Sequence, residues 1–169
     1  MNRIFFHRIF CAGLVAAIFF LNSGCDRQKF IQKPSSMRPT IEPGETIFAN
    51  MLAYVITAPQ RWDVVLFKPP ALNENSGIGA FRVIGLPGET VSFDNTGLLI
   101  NGKKPHLPSA LKGINYTPAP KNQPPSPLLP YKVPSDSYFV LGDDPSIAND
   151  SRMWGAVSRE QIIGKILNK

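Results

Sequence analysis

"FRVIGLPGETVSFDNTGLLINGK", residues 81–103, decides the fold. Apolar, β-branched and aromatic runs are cut by Pro87-Gly88, by Asn95-Thr96-Gly97 and by Asn101-Gly102. Gly and Asn tolerate the positive φ of tight hairpin turns, and proline presets the first corner of a turn. The stretch therefore predicts strand, turn, strand, turn, strand and a further turn, with neighbours antiparallel. Outward from it, "ETIFANMLAY" (45–54), "DVVLFK" (63–68) and "SYFVLGDD" (137–144) predict more strands, the last ending in an acidic loop. "SREQIIGKI" (158–166) opens with a possible helix cap, but its short apolar run fits a final strand or a turn equally well. Residues 105–134 hold nine prolines and little periodicity, which predicts an extended surface excursion. There is no internal repeat. The sum is a mostly β protein with antiparallel sheets in a sandwich or barrel-like arrangement.

At 169 residues the chain suits one domain plus a targeting segment. Residues 1–25, "MNRIFFHRIFCAGLVAAIFFLNSGC", place Arg3, His7 and Arg8 before an apolar run from Ile9 to Leu21. That order predicts a membrane-targeting helix whose N-terminal end stays in the cytoplasm while the rest is exported. The run is short for a full span, so an uncleaved anchor and a cleaved signal both stand. "LNSGC" (21–25) resembles a bacterial lipobox with Cys25 as lipid acceptor, although Asn22 stands where leucine is usual. The other reading of Cys25 is the end of an anchor helix; either way the domain is tethered to a membrane. Residues 26–33 read as a polar linker and 34–169 as the exported domain.

Composition narrows the chemistry. The formal charge is +6, and beyond residue 25 there are 16 basic against 12 acidic residues. No basic tract with interleaved aromatics occurs, which argues against nucleic acid as a partner. A mildly basic surface suits anionic membrane lipid instead. Cys11 and Cys25 both lie in the targeting segment, so the exported part has neither a disulfide nor a catalytic thiol. One histidine and scattered carboxylates make no metal-ligand spacing, and no cofactor is implied.

"KPSSMRPTIEPGETI" (33–47) puts two serines beside a Met-Arg-Pro-Thr turn. A serine hydroxyl attacks a carbonyl poorly without a neighbouring base. The candidates are Lys33, Lys68, Lys103, Lys104 and His106. Lys33 is three residues from Ser36, and on extended chain it points to the opposite face. Lys68 follows an apolar strand and reads as solvent-facing, and His106 between Pro105 and Leu107 reads as a loop residue. Asp143 offers a carboxylate, badly matched to serine if exposed.

Four blocks taken in order carry a resemblance: Ser36-Met37-Arg38-Pro39-Thr40, "RWDVVLFK" (61–68), "FRVIGLPGETV" (81–91) and "GDDPSIANDSRMWG" (142–155). Together with connecting stretches such as "GLLINGKKP" and "VPSDSYFVLGD" they resemble the type I signal peptidases, the bacterial leader peptidase family, from about Lys33 to the C-terminus. The resemblance implies a β domain held at the inner membrane and facing the periplasm or exterior. It implies a groove that takes extended signal-peptide or preprotein segments, with Met37, Pro39 and Arg82 along it. It implies serine endopeptidase removal of signal peptides, with Ser36 as nucleophile and Asp143, Asp150 and Arg152 holding the site's shape.

The resemblance also implies a lysine base immediately before Arg82, its pKa lowered by apolar burial. Phe81 stands there, and not the histidine of the eukaryotic branch either. A hydrogen-bonding serine is implied where Ala148 stands, and a hydroxyl two residues before the nucleophile is replaced by Pro34. A phenyl ring has no lone pair for a proton. Losing the amine and its partner together avoids an unsatisfied buried group worth roughly 1–3 kcal/mol. Two readings follow: a signal peptidase with a substitute base, or a pseudopeptidase that binds extended peptides as a chaperone or assembly factor.

Overall fold

The computed structural model describes residues 27–68, 77–118 and 128–167. Among the described residues ten strands are formed: β1 (Arg27–Ile31), β2 (Thr46–Asn50), β3 (Val64–Phe67), β4 (Gly79–Gly85), β5 (Thr90–Asp94), β6 (Gly97–Ile100), β7 (Tyr131–Lys132), β8 (Ser137–Leu141), β9 (Val157–Ser158) and β10 (Ile162–Ile166). One short helix, α1 (Ser151–Trp154), and two 3-10 turns, Ser109–Leu111 and Arg159–Gln161, complete the set. Seven strands lie in the order β1-β2-β10-β3-β4-β8-β9, and three in the order β6-β5-β7. Paired neighbours run antiparallel. Among the described residues both sheets keep two free edges and neither closes on itself, so the barrel-like alternative does not hold.

β3 shows why the large sheet is stable. Its four residues are all buried, and they alternate. Val64 and Leu66 join Met37, Ile41, Ile47 and Ile166 on one face; Val65 and Phe67 join Val83, Val140, Val157 and Ile162 on the other. A strand covered on both faces reads as a continuous apolar run, and each such side chain fully buried contributes about 1.5–3 kcal/mol. The small sheet packs over the ends of β4 and β8 through Val91, Leu98 and Ile100 against Ile84, Phe139 and Leu141. At that junction a Cβ on Gly85 would lie 2.6 Å from Val91 Cγ2 and 2.9 Å from Phe139 Cβ. Only glycine lets the strand pass there.

The hairpin turns fall where the sequence predicts them, with positive φ at Gly88, Gly97, Asn101 and Gly102. Several expectations need correction. The supposed linker is β1, whose Phe30 pairs with Ile47 and packs on the core; as an edge strand with an exposed outer face it has a linker's composition. "ETIFANMLAY" is strand only to Asn50. The proline-rich excursion is not purely superficial, because Leu111, Ile114, Tyr116 and Val133 are buried in the second core. Ser158 and Gln161 form a reciprocal capping box around a single 3-10 turn, and β10 then runs between β2 and β3. The segment expected to be a targeting helix, with Cys25, lies outside the described residues. Among the described residues no helix is long and apolar enough to cross a membrane.

Candidate functional site

Ser36 lies in the turn between β1 and β2. Arg38 N–H donates to Ser35 O (3.0 Å), Ile41 N–H donates to Met37 O (2.9 Å), and the wholly buried Met37 and Ile41 fix the turn to the core. Asp144 N–H donates to Ser36 O at 2.9 Å, tying the turn to the loop after β8. Ser36 itself is only 8% exposed, and its Oγ makes no hydrogen bond among the described residues.

Gly142 shows what surrounds this serine. A Cβ there would collide with Ala148 Cβ and with the Ser36 carbonyl oxygen, and would lie 3.3 Å from Phe81 Cε1. Ser36, Phe81 and Ala148 therefore converge on one glycine, from three separate parts of the sequence. Phe81 sits on β4 opposite Val65, its ring centroid 5.6 Å from that of Phe67, and it touches the clusters on both faces of the sheet. Ala148 is fully buried. A phenyl ring and a methyl group neither accept nor donate a proton.

The carboxylates of the same loop are in the opposite condition. Asp143 accepts from Arg82 Nε (2.9 Å) and Nη2 (2.5 Å), from Tyr116 OH (2.7 Å) and from Thr40 Oγ1. Arg82 Nη1 also donates to Trp62 O at 2.7 Å. Burial opposes the Arg82 charge, but the hydrogen bond and charge of Asp143 prevail and raise its pKa. Burial and the Asp143 charge push the Tyr116 phenol far above its ordinary value, so it remains a donor. Asp150 accepts from Arg152 Nε and Nη2, each at 2.8 Å, and from the N–H of Gly142 at 3.0 Å. Arg152, completely buried, donates further to Thr117 O and Pro145 O.

Ser36, Phe81, Ala148, Asp143, Asp150 and Arg152 are thus gathered around one loop. Asp143, read from sequence as exposed, is 2% exposed and committed to Arg82. Arg82 lies beneath the surface as that carboxylate's partner rather than along a groove, because an unpaired buried carboxylate would be far costlier. Met37 is wholly buried under the turn. Pro39 is exposed, beside a depression of about 270 Å³ shared with Arg38, Gly113 and Asp144. Lys33, Lys68, Lys103, Lys104 and His106 are all exposed, and no lysine or histidine is buried among the described residues. Sequence reasoning missed Thr40 and Tyr116 as partners of Asp143. Thr40 stood inside a quoted block, whereas Tyr116 lies in the proline-rich stretch with no pattern to mark it. Among the described residues no group of three or more His, Cys, Asp or Glu is placed to hold a metal ion.

The chain is similar to known proteins. A family model described as signal peptidase, peptidase S26, matches residues 4–168. Signal peptidase I of Leptolyngbya laminosa is 39% identical over 140 residues, 77% of this chain and 62% of its own. The probable signal peptidase I-2 of Synechocystis sp. is 36% identical over 134 residues, 78% of this chain and 57% of its own. Signal peptidase IB of Staphylococcus aureus is 34% identical over 151 residues, 82% of this chain and 77% of its own. The match thus spans less than two-thirds of the first two relatives. A crystal structure of a signal peptidase I from Enterococcus faecalis aligns with a TM-score of 0.49 and 33% identity, over 65% of this chain and 97% of that one. With a family match over almost its whole length, the chain belongs to the signal peptidase family, peptidase S26.

Proposed function

We infer that this chain is a membrane-tethered, exported signal peptidase-type domain that receives extended signal-peptide or preprotein segments at the Ser36 turn without cutting them by its own residues. The observation that carries this reading is the Ser36 Oγ, buried and without a hydrogen-bond partner among the described residues. A serine needs a base to lose its proton in the attack. The resemblance puts a lysine where Phe81 stands and that lysine's hydroxyl partner where Ala148 stands. Asp143 and Asp150 are already engaged in buried ion pairs with Arg82 and Arg152.

Binding has better support than cleavage. β1 is an edge strand whose outer side is unpaired among the described residues, and it leads straight into the Ser36 turn. A peptide added along such an edge gains main-chain hydrogen bonds. Ile31, Phe48, Leu52, Val55 and Ile56 are exposed, and Lys29 stands across from Phe48. Apolar side chains with a cation beside them suit the surface of an anionic bilayer, to which residues 1–25 or a lipid on Cys25 would tether the domain. No cofactor or metal enters this reading.

A second reading, cleavage with a base supplied by a partner protein, is favoured by Ser36 itself. An unsatisfied buried hydroxyl costs roughly 1–3 kcal/mol that alanine would not, and a role in the reaction would explain its presence. The test uses the full-length chain in lipid vesicles with a signal-peptide substrate. Saturable binding with the peptide recovered intact is the expected result. Absence of binding refutes both readings; cleavage by the chain alone that is lost in Ser36→Ala refutes the first, and cleavage that appears only when a membrane extract is added and is lost in Ser36→Ala establishes the second.

A further inference from the structure

A depression of about 540 Å³ is lined by Arg61, Trp62, Glu89, Lys103, Lys104 and His106. It shares no residue with the Ser36 corner. Trp62 has φ 77°, in the left-handed region where a bulky residue is a genuine outlier costing about 1–3 kcal/mol. The conformation is held from both sides: its N–H donates to Val83 O at 2.8 Å and its carbonyl accepts from Arg82 at 2.7 Å. Glycine would adopt this backbone freely. The indole instead leans partly on the second core and forms part of the wall of the depression.

Two of the depression's charges cancel each other. Arg61 pairs with Glu89 at 2.5 Å and donates to Ile84 O, while Glu89 also accepts from Leu86 N–H at 2.7 Å. The rim is cationic. Lys103 and Lys104 are exposed and form no ion pair among the described residues. They are not on a loose tail: Lys103 exchanges backbone hydrogen bonds with Ile100, and Asn101 of the same turn accepts from Thr90 N–H at 2.8 Å. An aromatic side chain on a fixed backbone, beside two exposed cations with no ion pair among the described residues, suits a ring compound that carries an anion.

We propose that this depression binds a phosphorylated sugar, its ring against Trp62 and its phosphate at Lys103 and Lys104. Such a group is available as a soluble sugar phosphate or as the cyclitol-phosphate headgroup of a lipid. The experiment is calorimetric titration of the full-length chain in detergent with glucose 1-phosphate, beside glucose and inorganic phosphate. Binding of glucose 1-phosphate well above either control is expected. It should weaken about tenfold in Trp62→Gly, as for loss of one stacking face. The Lys103→Ala, Lys104→Ala double variant should lose the salt dependence of binding. Vesicles containing phosphatidylinositol in place of phosphatidylglycerol identify the lipid source if they capture the chain more tightly, and the soluble source if they do not. Inorganic phosphate binding as well as the sugar phosphate overturns the proposal. So does a Trp62→Gly protein that binds unchanged, because Trp62 would then only fill space over the second core.

Discussion

The loop from Gly142 to Arg152 treats polarity in two opposite ways. On one side, Asp143 and Asp150 are among the most buried groups of the protein, and each accepts from an arginine and from other donors. On the other side, Ser36, Phe81 and Ala148 meet around Gly142, and the serine Oγ has no hydrogen-bond partner among the described residues. The difference teaches that the frame of the site and its proton chemistry are separable. A buried ion pair cannot lose one member without leaving an uncompensated charge, so it holds its residues in place. An amine and the hydroxyl that supports it can be replaced together by apolar groups at little cost in stability.

The comparison is tested hardest on its charged side. Replacing Arg152 by Met should lower unfolding stability by about 3–5 kcal/mol, because Asp150 would remain buried without its partner; urea unfolding measures it. Gly142→Ala comes next. The added methyl group meets Ala148 and the Ser36 carbonyl, and the variant should lose about 1–3 kcal/mol. Amide shifts at Ser36 and Met37 would show the turn displaced, and an unchanged spectrum would contradict the packing described. On the apolar side, Phe81→Lys alone should be less stable than Phe81→Lys with Ala148→Ser by about 1–3 kcal/mol, since only the double variant supplies the amine with a partner. The smallest effect has the opposite sign: Ser36→Ala should stabilise the protein by about 1 kcal/mol by removing an unsatisfied hydroxyl. A destabilised Ser36→Ala protein would mean that the hydroxyl has a partner after all.

Most of the strand plan was legible because turn chemistry is local. Asn101-Gly102 and Pro87-Gly88 announce their own φ values, and β3 announces its burial by four apolar residues in a row. β1 was not legible, since an edge strand with Arg27, Gln28 and Lys29 has the composition of a linker and is specified only by its pairing with β2. The positions of Ser36, Phe81 and Ala148 came from the order of four blocks, while their convergence on Gly142 is a property of the fold alone. Burial was the hardest to read. Arg82 stands inside an apolar run and Asp143 at the head of an acidic loop, and nothing nearby in sequence reveals that Tyr116, 27 residues before Asp143, closes the network over them.

The central claim is that two apolar side chains on an intact frame separate this protein from cleavage. It is tested most directly by mass spectrometry of a signal-peptide substrate after incubation with the full-length chain in lipid, beside the Phe81→Lys, Ala148→Ser variant. The account predicts intact substrate with the native chain and product with the double variant, abolished again when Ser36→Ala is added. Product from the native chain that disappears in Ser36→Ala would contradict it.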